Sequence, residues 1–164
     1  MIVMPQKTEI RRYTVEDIPT LVQIVMDEVP KLPHYKTVKL APDRIKFLLD
    51  NSAKDESAFC TYVMTADNEI VGGIAAYCVT QLLSWDKSTG DIFLFIDPKH
   101  RTIDNVVSLI AAYVDWAKRR KATLIQATHT SGYRSEAMTE LLKRRCGFEV
   151  VGTLYRIQNV GELP

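Results

Sequence analysis

The spacing of apolar positions along this chain switches between two, and three or four, residues, and the switches outline its elements. Residues 9 to 13, EIRRY, alternate as a short strand. Thr14 and Asp17, three residues apart, form an N-capping arrangement for the helix that follows. Ile18, Leu21, Val22, Ile24, Val25 and Val29 share one face of that helix, and Pro30 ends it. Residues 30 to 42, PKLPHYKTVKLAP, are irregular, and residues 43 to 51 read as a short second helix with Ile45, Leu48 and Leu49 inward. Residues 58 to 66 and the longer run from Ile70, IVGGIAAYCVTQLL, read as strands joined at Asp67-Asn68-Glu69, which predicts a β-hairpin. Gly72-Gly73 inside the second strand predicts a bulge or a close backbone approach. Residues 84 to 90, SWDKSTG, are expected to be a polar loop, with Asp91 opening the next strand.

The stretch from 92 to 125 is the centre of the pattern. The apolar run Ile92 to Ile96 stops at Asp97-Pro98, and the basic loop Lys99-His100-Arg101 follows. A long helix then carries Ile103, Val106, Val107, Ile110, Val114 and Ala117 at spacings that predict one buried face. A loop that leaves a strand end and opens a helix aims free N–H groups and a positive dipole end at one point, which suits a phosphate. Leu124 to Thr128 read as a fifth strand and HTSGYRS as a loop. Glu136 to Arg145 read as a last helix capped by Gly147, and FEVVGTLYRI as a final strand with a kink at Gly152. The element order is β-α-α-β-β-β-α-β-α-β, expected to form a single domain over residues 1 to 164 with its core between about 8 and 158.

Composition narrows the function classes. The chain has 164 residues, 46% of them hydrophobic and 25% charged, with a net charge of +1. A net charge this small supplies no global field for nucleic acid or an anionic membrane, so neither is expected as a partner. The basic clusters are local, at Lys118 to Lys121 and Lys143 to Arg145, and read as solvated helix ends. No apolar run approaches the roughly 18 residues that span a bilayer. The start, MIVMPQKTE, lacks the basic stretch and apolar core of a secretory signal. Cys60, Cys78 and Cys146 show no metal spacing, so no metal site is expected; an odd, scattered set fits a reducing, cytoplasmic compartment.

Four stretches carry a resemblance. EIRRYTVEDIPTLVQIV, NEIVGGIAAY, IDPKHR and LLKRRCGFEVVG, in that order and spacing, resemble the GNAT superfamily of acyl-CoA-dependent N-acyltransferases. The Pro-His-Tyr loop after the first helix is similar to that of short, divergent members found in phage genomes, which would place the protein in a host cytoplasm. The resemblance implies an α/β (α+β) fold with a mixed central sheet of six or seven strands, splayed open between strands 4 and 5. It also implies N-acyltransfer from acetyl-CoA, as acyl donor, to a primary amine on a small molecule or protein, by direct attack in a ternary complex. Pantetheine amides would pair with the main chain of Leu94, Phe95 and Ile96, and the pyrophosphate would meet the loop Arg101-Thr102-Ile103-Asp104-Asn105-Val106. The acceptor would enter near His34 and Tyr35.

Residue by residue the match is uneven. Arg101 fits the phosphate loop, while Asp104 and Val106 stand where the family has small residues. A valine adds bulk where backbone must approach a phosphate, and an aspartate adds negative charge while capping N–H groups. Lys99, His100 and Arg101 offset that charge. Asp91 is the acid at the start of strand 4, either a general base or a solvated strand end; His129 and His34 are further bases. The tyrosine that serves many members as general acid is replaced by Lys143, which leaves Tyr133 and Tyr155 as substitutes. Ser131 and Ser135 are candidates for the thiol end, and a covalent role for Cys146 is disfavoured because no histidine lies near it in sequence. The alternative reading is a GNAT-fold binding or structural protein without catalysis. A doubly wound nucleotide fold is excluded by the missing strand-GxGxxG-helix unit. An exposed sheet edge after Phe148 makes a homodimer a candidate assembly.

Overall fold

The fold was analysed in a computed structural model, which describes residues 7–32, 35–128 and 135–152. The strands are β1 (Glu9–Arg12), β2 (Phe59–Ala66), β3 (Glu69–Thr80), β4 (Lys87–Ile96) and β5 (Ala122–Gln126). The helices are α1 (Ile18–Glu28), α2 (Pro42–Lys54), α3 (Ile103–Arg119) and α4 (Ser135–Cys146). The strands lie in the order β1-β2-β3-β4-β5, antiparallel up to β4, while β5 pairs with β4 in parallel.

Local chemistry accounts for the hairpin. Asp67 and Asn68 both have positive φ, 50° and 66°, the conformation that a two-residue turn needs to match the twist of its strands. The register slips between Met64 and Thr65, and a second irregularity between Ala75 and Ala76 leaves Ile92 as an extra residue in β4. A Cβ on Gly73 would stand 3.0 Å from the Tyr62 carbonyl oxygen and 3.1 Å from the Phe95 ring. The Gly-Gly pair is therefore a close approach beneath β4, beside a bulge.

Period-two alternation splits the sheet's side chains between two cores. Cys60, Met64, Ile74 and Ala76 pack with Leu109, Ile110, Tyr113 and Trp116 of α3, and Met138, Leu141 and Leu142 of α4 close that layer. Tyr13 and Val63 pack on the opposite face with Ile18 and Leu21 of α1 and Leu49 of α2. Asp17 ties the entry to α1: its carboxylate accepts the Thr14 N–H at 2.7 Å and both ends of the Arg11 fork at 2.6 and 3.0 Å.

Three sequence expectations need correction. The sheet has five strands among the described residues, not six or seven. Gly147, at φ +75°, turns the chain out of α4, and residues 148–152 pair with no strand; Val150 and Val151 are exposed. The remainder of the expected last strand lies outside the described residues. Second, β4 starts at Lys87 rather than Asp91, because 87–90 is paired on both sides, with β3 and with β5. Third, the buried face of α3 includes Leu109, Tyr113 and Trp116 besides the expected Val106, Ile110 and Ala117, whereas Ile103 is exposed. Among the described residues no helix is long and apolar enough to cross a membrane.

Trp116 is fully buried and donates its indole N–H to the Glu56 carbonyl at 3.0 Å, joining α3 to the entry of β2. Trp116→Ala is expected to cost about 3–5 kcal/mol through cavity formation and an orphaned carbonyl. Urea denaturation checks this; a loss under about 1 kcal/mol would show that the site collapses without penalty.

Candidate functional site

The ladder between β4 and β5 is short. Lys87 pairs with Ala122, Ser88 with Leu124, Thr89 with Ile125 and Gly90 with Gln126, and there it ends. Beyond Gly90, the β3 side of β4 stays paired to Ile96, while its other side has no strand partner among the described residues. Side chains occupy the fork. The buried Tyr113 hydroxyl, reaching up from α3, donates to the Gln126 carbonyl at 2.7 Å and lies 3.1 Å from Thr89 Oγ1. The Asp91 carboxylate accepts the Thr128 N–H at 2.6 Å and the Thr128 hydroxyl at 3.2 Å. Polar groups at the end of β5 and just beyond it, on Gln126 and Thr128, are thus bonded to side chains, and the strands part.

A cleft of about 1290 Å³ opens from this fork. Asp91, the run Ile92 to Ile96, Arg101, Thr102, Ile103 and Val106 line it, as does Tyr35. One wall and floor are thereby formed from residues that the sequence had grouped. His34, His129, Tyr133, Tyr155 and Ser131 lie outside the described residues, as does the side chain of Ser135.

At one end the loop after β4 turns through a 3-10 segment into α3. Asp97 accepts the Lys99 N–H at 2.8 Å, and the Arg101 guanidinium donates to the Ile96 carbonyl at 2.9 Å. Thr102 caps α3, its hydroxyl accepting the Asn105 N–H at 3.2 Å. The Asn105 amide in turn holds the His100 carbonyl at 2.7 Å and receives Thr8 at 3.0 Å. Asn105 and Thr102 therefore brace the loop. The N–H groups of Ile103 and Asp104 have no acceptor among the described residues and stay open at the helix start.

The two anomalous loop residues resolve differently. The Val106 side chain is buried in the core with Ile110 and Ile96, so its bulk is accommodated beneath the helix start. Asp104 is largely exposed, and Arg145 of α4 meets its carboxylate at 3.1 Å. Arg101, Arg144 and Arg145 all line this end of the cleft. Arg144 is paired with Glu140 at 2.7 Å, and Lys143 with the same carboxylate at 3.5 Å. An arginine paired through one nitrogen keeps further donors for an anion.

At the other end, Ile24, Leu32, Tyr35, Tyr77 and Phe93 form an apolar and aromatic wall, beside which the Glu28–Lys31 pair also lines the cleft. Tyr77 was missed in the sequence reading. Its ring lies against Gly90, where a Cβ would sit 2.7 to 2.9 Å from the ring and hydroxyl. The one available signal was a glycine in what looked like a polar loop. Tyr113 was also missed, because a tyrosine in an amphipathic helix reads as a half-exposed position. Cys146 packs against the core, and burial pushes its thiol pKa up, away from the thiolate a nucleophile requires. Among the described residues no group of His, Cys, Asp and Glu could hold a metal ion.

No family model matches the sequence, and no curated protein matches it. Solved structures do. Glucosamine-6-phosphate N-acetyltransferase from Arabidopsis thaliana aligns with a TM-score of 0.71 at 9% identity, over 94% of this chain and 99% of that one. An aminoglycoside acetyltransferase from an uncultured soil metagenomic sample, in complex with sisomicin, aligns at 0.66 with 18% identity, over 92% and 97%. AAC(6')-Iy in complex with the bisubstrate analog CoA-S-monomethyl-acetylneamine aligns at 0.71 with 12% identity, over 93% and 98%.

The fork makes a pH prediction. Desolvation, partly opposed by the bond to Thr89, pushes the Tyr113 hydroxyl up to about 12. The folded state therefore holds this proton more tightly than the unfolded chain, whose tyrosines titrate near 10. Its contribution to stability is complete below about pH 10 and declines as pH rises from there toward 12. Tyr113→Phe is expected to flatten that decline when unfolding free energies of the two proteins are compared across the window. An equal decline in both would overturn the assignment.

A sheet in this strand order, forked after Gly90, with an arginine-lined helix start at one end of the opening and full-length alignment to acetyltransferase structures, has the GNAT fold.

Proposed function

We propose that the protein is an N-acyltransferase that moves an acetyl group from acetyl-CoA to a primary amine by direct attack in a ternary complex. The observation that carries this reading is the outer edge of β4 from Ile92 to Phe95, which has no strand partner among the described residues and lines a cleft that runs from Arg101, Arg144 and Arg145 to Asp91. These residues fit the cosubstrate: an open strand edge for amide groups, open N–H groups at a capped helix start, and cationic side chains for phosphates. The solved structures it aligns with include one holding a CoA bisubstrate analog, which supports the same reading.

Acetyl-CoA supplies the activated acyl carbon. The chain's own residues do the rest. Of the β4 main chain, the N–H groups of Leu94 and Ile96 face the open edge, where they hold the extended donor and offer hydrogen bonds to an oxyanion, while that of Phe95 faces β3. Asp91, seated at the fork, attracts the acceptor's ammonium and takes its proton, so that the nitrogen attacks as a neutral amine. Tyr35, Tyr77 and Phe93 exclude water from the acceptor side. His129 and Tyr133, which follow β5 in the sequence, remain candidate proton carriers, and His34 with Tyr35 candidate acceptor contacts. A cytoplasmic enzyme acting on a soluble amine is the setting this reading implies.

A second reading, a GNAT-fold binding protein without catalysis, draws on Lys143, which stands at the family's tyrosine position and pairs with Glu140. Release of free CoA thiol with any member of an amine panel rules it out.

Isothermal titration with acetyl-CoA tests the primary reading, with an expected dissociation constant in the micromolar to about 1 mM range. Absence of binding at millimolar ligand overturns it. The ion pair at the helix start adds a sharper test. Arg145→Ala is expected to weaken acetyl-CoA binding about tenfold or more, since it removes a cation and uncovers the Asp104 charge. Asp104→Asn is expected to restore much of that loss in the Arg145→Ala background while changing little alone. Equal gains from Asp104→Asn in both backgrounds would show that Arg145 does not mask the carboxylate.

A further inference from the structure

The end of the cleft away from the arginines is rich in aromatic surface and poor in charge. Phe93 and Phe95 stack with ring centroids 5.8 Å apart and planes 16° from parallel. Tyr77 and Phe95 each lie against the glycine opposite them on the neighbouring strand, Gly90 and Gly73, so no side chain stands between ring and sheet. Ile24 of α1, Leu32 and Tyr35 line the same cleft. Asp91 and Glu28 are the acids on this side among the described residues, and Lys31 meets the Glu28 carboxylate at 2.7 Å. The other acids of the lining belong to the helix-start end, where Asp97 holds the Lys99 N–H and Glu140 pairs with Arg144. Residues 33–34 and 129–134, outside the described residues, contain no Asp or Glu in the sequence. Lys31 thus offsets one of two carboxylates, and Asp91 supplies the net negative charge.

We infer that the acceptor is an arylalkylamine: one primary ammonium on a short chain that ends in an aromatic ring. This acceptor class rests on the acyltransferase reading and names the substrate of that same site. Gly90, with the Tyr77 ring against it, adjoins Asp91 along β4, so an ammonium held at Asp91 places its carbon chain beside aromatic surface. A flat apolar ring gains from stacking on such a wall. A sugar amine loses there, because its hydroxyls give up water without enough hydrogen-bond partners. A polyamine meets Lys31, which repels a second ammonium and occupies Glu28, so Lys31 determines specificity by exclusion. In the transfer the amine nitrogen bonds to the acetyl carbon and the C–S bond breaks. Of the two protons the ammonium sheds, one goes to Asp91 and the other to the departing sulfur, which leaves as CoA thiol.

Steady-state release of CoA thiol by the full chain, with phenethylamine, ethanolamine, putrescine and kanamycin as acceptors, tests this. Phenethylamine is expected to lead each of the others in kcat/KM by about tenfold or more. Tyr77→Ala is expected to cut the phenethylamine-to-ethanolamine ratio about tenfold, chiefly through the KM of phenethylamine, and Tyr77→Phe to retain it. Lys31→Ala, a change at an exposed pair, is expected to raise putrescine turnover relative to phenethylamine several-fold; an unmoved ratio overturns the exclusion by Lys31. Preference for ethanolamine, putrescine or kanamycin overturns the acceptor class and leaves acyl transfer standing. So does a phenethylamine preference that Tyr77→Ala leaves intact, or a chain that binds acetyl-CoA and releases no thiol with phenethylamine. A chain that does not bind acetyl-CoA at millimolar ligand overturns the acyltransferase reading itself.

Discussion

The molecule depends on the point where β4 and β5 part. Parallel strands of this length would ordinarily continue their ladder, because each unmade backbone bond in a buried position costs of the order of 1–3 kcal/mol. Here the cost is avoided. Tyr113 occupies the Gln126 carbonyl, and Asp91 occupies the Thr128 N–H. Both side chains come from elements already held in place, α3 by its core face and β4 by β3. The fork is therefore a satisfied structure rather than a frayed one, and the open edge of β4 is available to a ligand without prior disruption of the sheet.

That arrangement explains which parts of the fold were legible in the sequence. Element order, the hairpin and the loop-to-helix turn were visible because they rest on local signals: period, paired turn residues with positive φ, Asp-Pro, a terminal glycine. The first half of β4 was not visible. Lys87 to Gly90 are polar or small and read as a loop, but Thr89 is fully buried, its hydroxyl facing Tyr113. A polar residue whose partner lies 24 positions away carries no local mark of burial. Two residues of the buried face of α3 were missed for the same reason. Tyr113 and Trp116 each bury a ring while satisfying one polar atom, and hydrophobic counting underweights residues of that kind.

The helix start shows the opposite case, where the sequence raised an objection that tertiary structure answers. Asp104 in place of a glycine looked hostile to phosphate, and Val106 looked obstructive. Neither judgement included α4. Arg145 lies 41 positions from Asp104, and its sequence neighbours suggested only a solvated, basic helix end. Placed against α3, it pairs with that carboxylate, and Arg144 joins it on the cleft wall. An exposed pair of this kind contributes little to stability, of the order of 0–1 kcal/mol. Its consequence is electrostatic and local: it sets a guanidinium against the one acidic side chain in the first turn of α3.

Gly90 links the two halves of the cleft. It is the last residue of β4 with a partner on β5, and the residue over which the Tyr77 ring lies. Any side chain there would meet the ring below 3 Å, so the glycine allows an aromatic wall to reach the fork itself. Glycine is absent from the helix start, where a phosphate-binding loop ordinarily needs it, and present at the fork, where an aromatic ring needs it. At the helix start, α4 supplies side-chain charge through Arg144 and Arg145. If the cleft works as the acyltransferase site proposed above, a site built this way would discriminate less by backbone shape beside Arg101 and more by aromatic contact with Tyr77, Tyr35 and Phe93.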